Sequence, residues 1–154
     1  MTQGRIILCP IDFSEHMGKV LNEAIEQTEK FNGFLVVLHV LNEALFESLK
    51  RLQGRVAALD IDGVGENAIR ALGDERESML RQALVDVNAT RVKHTGIISR
   101  GYPFEEILKV AEEKKADLIV LGAHGRHSLA RELRFGSQAE KVFRRAKCNV
   151  MFVR

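Results

Sequence analysis

Glycine and serine residues in the last quarter of the chain stand at a spacing that suits phosphate binding. The apolar run Leu118–Leu121 stops at Gly122, Gly125 follows, and after ten more residues Gly136-Ser137 opens an amphipathic helical pattern. Glycines let the main chain approach an anion closely, and the first turn of a helix presents unpaired N–H groups at the positive end of its dipole. The pattern predicts a site that binds phosphate without cleaving it.

The elements that must position this loop alternate between short apolar runs and helical patterns. Strands covered by helices on both faces are apolar throughout. A weaker strand is predicted between Val92 and Ser99, and the clear runs are Arg5–Cys9, Phe34–Val40, Leu118–Leu121 and Val150–Val153. Parallel strands are joined by right-handed crossovers, so this order predicts an α/β fold with an open parallel sheet of five strands and helices on both faces. One domain of residues 1–154 is expected.

Three helices have legible patterns. Apolar residues recur at helical spacing from Met17 to Thr28, and Pro103 suits the first turn of a helix that ends near Lys115. In the last helix, Ser137 and Glu140 have the S-x-x-E spacing of a capping box. Its predicted inner face consists of Ala139, Val142, Phe143 and Ala146.

Residues 43–90 form a predicted helical and loop insertion. Leucines from Leu45 to Leu52 indicate one helix and residues Met79–Val87 another, and we interpret Ala58–Asp74 between them as a surface connection. The segment Gly63–Ala68 (GVGENA) matches the glycine pattern of a dinucleotide-binding turn. No buried strand precedes it, so an ordinary turn is the better interpretation.

Ligands in open α/β sheets bind beyond the carboxyl ends of the strands, where strand order reverses. Two segments are expected to meet there: Cys9–Ser14 after the first strand and Gly122–Ser137 after the fourth. Asp12 has two interpretations, which can hold together. It is an N-cap with Glu15 at the complementary position, or it contacts the ligand.

Composition excludes several classes of protein. The 154 residues carry 23 Lys and Arg against 21 Asp and Glu, too small a surplus for a dedicated nucleic-acid binder or a polybasic membrane surface. No apolar run approaches the roughly 20 residues of a membrane span. Cys9 and Cys148 are too few for a disulfide framework, so a reduced compartment, the cytoplasm, is expected. His124 and His127 lack a third metal ligand nearby.

The chain resembles the universal stress protein family along nearly its whole length. The resemblance rests on PIDFSE after the first strand, LHV ending the second, GYP before a helix, and DLIVLGAHG leading to GS. In the nucleotide-binding branch of that family, nine residues separate the second glycine from the Gly-Ser pair. Here Arg126–Phe135 makes ten. One added loop residue is cheap and need not move the ends, so we expect binding to be retained.

The resemblance implies the adenine nucleotide alpha hydrolase-like fold, with strand order 3-2-1-4-5, and a role for each matching residue. Adenine and ribose would lie against one set, and core packing alone would also explain two of its members, Val40 and Leu121. The set is Pro10, Ile11, Asp12, Val40, Leu121 and Gly122. A second set would hold the phosphates, namely Gly125, Gly136, Ser137 and Gln138, with Arg126 as a charge partner.

The resemblance also implies function. We expect an ATP-binding regulatory or sensor protein of the stress response, with ADP or AMP as alternative ligands and a magnesium ion that Asp12 helps to place through water. The last strand, apolar and at the sheet edge, is expected to pair with its copy in a homodimer. The phosphate-loop lysine of common NTPases is absent, so we expect slow ATP hydrolysis at most. The alternatives are a nucleotide-free protein interaction module and a nucleotide-dependent transferase or ligase.

Overall fold

The structure of the protein is a computed structural model, and it describes residues 4–53, 62–123 and 136–154. Its five strands form one parallel sheet in the order β3-β2-β1-β4-β5. The strands are β1 (Ile6–Ile11), β2 (Phe34–Asn42), β3 (Lys93–Gly101), β4 (Leu118–Gly122) and β5 (Asn149–Val153). The predicted α/β fold, the parallel sheet and the strand order are therefore confirmed.

Helices cover both faces of the sheet, as predicted. The α-helices in the described ranges are α1 (Met17–Lys30), α2 (Glu43–Gln53), α3 (Asp62–Asp86), α4 (Pro103–Glu113) and α5 (Ser137–Arg145). One core layer packs α1 and α3 against alternate strand residues such as Ile7 and Val37. The other packs α4 and α5 against the intervening residues, such as Leu8 and Leu38. Each strand thus presents consecutive side chains to opposite helical layers.

The weaker third strand owes its glycine to helix packing. β3 is continuous through Gly96, which pairs with Val37 of β2. A Cβ at Gly96 would lie only 2.8 Å from Leu80 Cδ2 of α3. The missing side chain therefore lets α3 pack closely on this strand.

The prediction of a surface connection from Ala58 to Asp74 is wrong from Asp62 onward. The structure has α3 there, so Gly63–Ala68 lies within a helix and forms no turn. Glycine costs a helix about 1 kcal/mol relative to alanine, which is why the local pattern favoured a turn. Packing of later α3 residues, Leu80 and Ala83, into the core stabilises the helix that continues upstream from them.

Two predictions for α5 are also wrong. Gly136, not Ser137, is the N-cap, and Ser137 is the first helical residue, so no capping box forms between Ser137 and Glu140. The side chain of Phe143 is 61% exposed, because α5 buries Ala139 and Val142 instead. The Phe143 ring lies 5.9 Å from that of Phe152 on the edge strand β5. Within the described ranges, no helix is long and apolar enough to cross a membrane.

Candidate functional site

The sheet reverses its strand order between β1 and β4, and the two strands pair only near their beginnings. The paired register covers Ile7 with Leu118 and Leu8 with Ile119, whereas β1 pairs with β2 over six residues. The last residues of β1 and β4 extend beyond this paired part. Open α/β sheets bind ligands at such a reversal, beyond the carboxyl ends of the strands. The candidate site lies there.

Three of the predicted site residues lie on one face of the sheet near this reversal. Val40 and Leu121 both belong to the core layer under α4 and α5. Pro10 follows Leu8 of the same layer by two residues, so alternation turns it to the same face. Leu121 is buried, whereas Pro10 and Val40 remain partly exposed. Together these side chains can form an apolar surface for a flat ring.

Asp12 lies directly after β1 and its carboxylate is used in a tight turn. Its Oδ1 accepts a hydrogen bond from the Ser14 N–H at 3.0 Å. Helix α1 begins only at Met17, with His16 at the N-cap position, so the interpretation of Asp12 as N-cap with Glu15 is wrong. The physical reason is local: one carboxylate oxygen of Asp12 accepts a hydrogen bond in an Asx turn that precedes the helix, so it does not cap the first turn of α1.

Phe13 adopts a left-handed backbone conformation beside Asp12, with φ of 56°. For a residue with a Cβ this costs about 1–2 kcal/mol. The Phe13 ring offsets the cost by packing 4.5 Å from the His39 ring and under the guanidinium of Arg76, 5.6 Å from the ring centroid. Strain of this kind concentrates at functional loops.

His39 is a buried, hydrogen-bonded core residue. Its Nδ1 lies 2.9 Å from the Ile11 carbonyl oxygen. The carbonyl can only accept, so Nδ1 carries the proton. This bond fixes the backbone of Ile11 immediately before Asp12. Sequence reasoning gave His39 and Phe13 no role in positioning the site, since their contact joins residues that are distant along the chain.

The glycine-rich loop is closed at its base by backbone hydrogen bonds. The Gly136 N–H donates to the Ala123 carbonyl at 2.8 Å, and the Ala123 N–H donates to the Val153 carbonyl at 2.9 Å. These bonds hold the end of β4 next to the beginning of α5. Gly125 and Arg126, like the two loop histidines, lie outside the described residues. The two ends of the loop, Gly122 and Gly136, are therefore brought together.

The N-terminus of α5 supplies the backbone donors. Glu140 N–H is the first to bond back within the helix, to the Gly136 carbonyl at 3.0 Å. The preceding amides of Ser137, Gln138 and Ala139 are the ones that a helix start leaves for an anion. The Ser137 residue is exposed. This arrangement can bind phosphate through backbone N–H groups and one hydroxyl.

Gln138 uses its side chain elsewhere. Its Oε1 accepts a hydrogen bond from the Phe104 N–H at 3.2 Å, in the first turn of α4. Lys141 and Arg145 of α5 also lie over the Phe104 ring, at 4.9 and 5.0 Å from its centroid. This bond holds the Gln138 side chain against α4, so α4 and α5 are joined at their N-terminal ends, and the backbone amide of Gln138 stays at the beginning of α5.

An ion pair ties the beginning of α2 to the end of β3. The Arg100 guanidinium donates two hydrogen bonds to the Glu43 carboxylate, from Nε to Oε2 at 2.5 Å and from Nη2 to Oε1 at 2.9 Å. The hydrogen bond from Arg100 holds the pKa of Glu43 below its usual range. Nearby, the Tyr102 hydroxyl donates to Glu47, and this bond raises the pKa of Tyr102. The sequence offered no signal for these pairs, because 55 or more residues separate the partners.

Metal-binding potential is limited in the part of the chain that the structure describes. No group of three or more His, Cys, Asp or Glu side chains lies together there. Both cysteines are free thiols. Burial raises the pKa of Cys9 to about 12, so it is neither a thiolate ligand nor a nucleophile at neutral pH.

Comparison with known proteins identifies the family. The model of the universal stress protein family matches residues 4–154. Universal stress protein MJ0531 of Methanocaldococcus jannaschii is 31% identical over 96% of this chain and 81% of its own length. The structure of universal stress protein UspA from Lactobacillus plantarum has a TM-score of 0.78 and 25% identity, covering 100% of both chains.

A third relative shares the fold and contains a nucleotide. The universal stress protein from Archaeoglobus fulgidus, in complex with dAMP, has a TM-score of 0.63 and 20% identity, and the match covers 100% of both chains. The family match over residues 4–154, together with these relatives, establishes what the fold indicated. The chain belongs to the universal stress protein family.

Proposed function

We propose that the chain binds an adenine nucleotide, ATP or alternatively ADP or AMP, between the ends of β1 and β4. The observation that carries the proposal is the apolar surface of Pro10, Val40 and Leu121 beside the N-terminus of α5. An apolar surface suits a purine ring, and a helix N-terminus suits its phosphates. The dAMP complex of the A. fulgidus relative supports the same class of ligand.

Each part of the nucleotide has proposed contacts. Adenine lies against the apolar surface, and ribose lies near Ile11 and the Asp12 carboxylate. The phosphates accept hydrogen bonds from the main chain of the glycine loop and from α5. These donors are Gly125, Gly136, Ser137 and Gln138, with Arg126 as a charge partner, and Gly122 completes the wall beside the base. Each favourable interaction of an anion with a helix N-terminus is worth about 0.3–2 kcal/mol.

Asp12 is also the proposed contact of a magnesium ion. A carboxylate oxygen is a ligand that this hard cation prefers, and the ion keeps several of its waters. Asp12 Oδ1 accepts from the Ser14 N–H, which fixes the direction of the carboxylate. The ion would neutralise charge on the phosphates when bound.

Nucleotide occupancy is proposed to act as a signal. A bound phosphate would change the loop between Ala123 and Gly136, whose ends are already joined by a backbone hydrogen bond. A changed loop presents a different surface to a regulatory partner. Hydrolysis would be slow at most, and the bound nucleotide would be long-lived.

A homodimer through β5 is part of the proposal. β5 is the edge strand, and its residues Val150–Val153 are apolar and only partly buried. An apolar edge with unpaired backbone groups favours pairing with a second copy. The exposed Phe143 ring next to Phe152 extends this apolar surface onto α5.

Two measurements test the proposed function. Small molecules released from the heat-denatured protein are identified by mass, and equilibrium dialysis measures ATP binding to the purified chain. Adenine nucleotide in the extract and saturable ATP binding are expected. The absence of both would favour the nucleotide-free interaction module, and rapid release of adenylate or phosphate with a second substrate would favour the transferase or ligase.

A further inference from the structure

Ser99 of β3 extends the proposed base-binding surface by one strand. It is the in-register partner of Val40 on β2. Ile97, two residues earlier, packs in the core layer under α4 and α5, so alternation turns Ser99 to that same face. Across four adjacent strands, one face thus carries Ser99, Val40, Pro10 and Leu121 in this order.

The Ser99 hydroxyl is buried without a partner. Its Oγ has essentially no solvent-accessible surface, and within the described residues it makes no hydrogen bond. Buried hydroxyls in folded proteins nearly always have a partner, because an unpaired one is destabilising. A polar ligand atom that the hydroxyl reaches after rotation about χ1 would explain why a serine stands in an otherwise apolar layer.

The direction of the nucleotide follows from the elements that hold its two ends. The phosphate donors lie at the end of β4 and the beginning of α5, on one side of the reversal. Val40 and Ser99 lie on β2 and β3, on the other side. Ser99 stands three strand spacings, about 14 Å, from Leu121. The adenine ring must therefore lie toward β2. The side of the ring farthest from its bond to ribose then faces β3.

We infer that Ser99 recognises adenine, its Oγ accepting a hydrogen bond from the 6-amino group. The inference rests on the proposed nucleotide binding. The 6-amino group projects from the side of the purine farthest from the ribose, so it is the group that reaches β3. Ser99 as a whole residue is partly exposed, and rotation about χ1 turns its hydroxyl from the buried position toward a base lying on Val40.

The test compares Ser99→Ala with wild type for two nucleotides, ATP and purine riboside triphosphate, which lacks the 6-amino group. A neutral hydrogen bond of ordinary strength predicts about 2- to 13-fold weaker ATP binding by the variant. Binding of purine riboside triphosphate should not change. Ser78→Ala on the exposed face of α3 is the matched control and should bind both nucleotides as wild type does.

Thermal unfolding separates recognition from a structural role. Removing an unpaired buried hydroxyl should leave the melting temperature of Ser99→Ala at or above that of wild type. A lower melting temperature, equal losses for the two nucleotides, or unchanged ATP affinity would each overturn the assignment. If wild type itself bound no adenine nucleotide, the proposed function would fail first, and that result is distinct from all three.

Discussion

Replacing Gly136 by alanine tests whether phosphate approaches the beginning of α5. The residue has φ −67° and ψ 153°, values that any L-amino acid adopts, so the added methyl group causes no backbone strain. Its N–H bond to the Ala123 carbonyl joins two backbone groups and is retained. The loop should therefore close in the variant as in wild type.

Two small effects on stability oppose each other in Gly136→Ala. Alanine reduces the conformational freedom of the unfolded chain, which stabilises by about 0.4–1 kcal/mol. Alanine is also a poorer N-cap than glycine, which costs a similar amount. The net change in the free energy of unfolding should stay within about 1 kcal/mol. The melting temperature of a chain of this size then moves by no more than about 4 °C.

Binding should respond far more strongly. Phosphate oxygens that accept from the first amides of α5 lie about 2.9 Å from the nitrogens, which leaves no room for a methyl group beside them. We expect ATP to bind at least about tenfold more weakly, equivalent to about 1.4 kcal/mol. Isothermal titration calorimetry with ATP measures the loss, and a thermal melt of the same sample measures stability.

Gly18→Ala is the matched control, since a Cβ at Gly18 meets nothing within 4 Å. It should bind ATP as wild type does. Wild-type ATP affinity in Gly136→Ala would refute the close approach of phosphate. A loss of more than about 2 kcal/mol in stability would instead show that the methyl group disturbs the loop base.

Three further predictions concern charge, thiol reactivity and assembly. Arg100 holds the pKa of Glu43 low, so the pair stabilises above the ordinary glutamate pKa and is lost as pH falls through the lowered folded-state pKa. Because both side chains are partly exposed, Glu43→Gln should lower the free energy of unfolding at pH 7 by at most about 1 kcal/mol. It should also make the free energy of unfolding fall less steeply at acidic pH, and an unchanged slope there would contradict this. Cys9, buried and with a pKa raised to about 12, should resist iodoacetamide at pH 8 until the protein unfolds, and peptide mapping of native labelled protein would reveal a failure. The Val153 carbonyl points toward β4, and backbone groups alternate in direction along a strand. The Met151 N–H therefore points toward β4 and the Val150 N–H toward the open edge of the sheet. Val150→Pro should then yield a folded monomer by light scattering and Met151→Pro a destabilised chain; a dimeric Val150→Pro would contradict pairing through β5.

Local patterns were sufficient for most of the fold. β1, α1 and α4 were predictable because their residues alternate or repeat at a period that only one buried face explains. The apolar stripe of α1, including Leu21 and Ile25, is buried as predicted. The strand order was different, because it came from resemblance to a family and not from any property of the strands themselves.

Contacts between distant segments decided what the local patterns missed. The local sequence of Gly63–Ala68 predicts a turn, whereas packing of α3 on the core makes the segment helical. The residues around the segment give no indication of that core. Phe143 fits a helical inner face by spacing, yet α5 lies at the sheet edge, where no other described element buries this residue. The Asp12 turn likewise competes with a capping pattern of equal quality, and only the start of α1 at Met17 decides between them.

The glycine loop shows how a departure from the family spacing can be judged physically. Ten residues, one more than the family pattern, separate Gly125 from Gly136. Lengthening a loop from nine to ten residues adds only about 0.1 kcal/mol of closure entropy. Bonds from Gly136 to Ala123 and from Ala123 to Val153 fix the base of the loop independently of its length. The extra residue is therefore no argument against phosphate binding, because the donors that matter at α5 are held by the sheet and not by the loop.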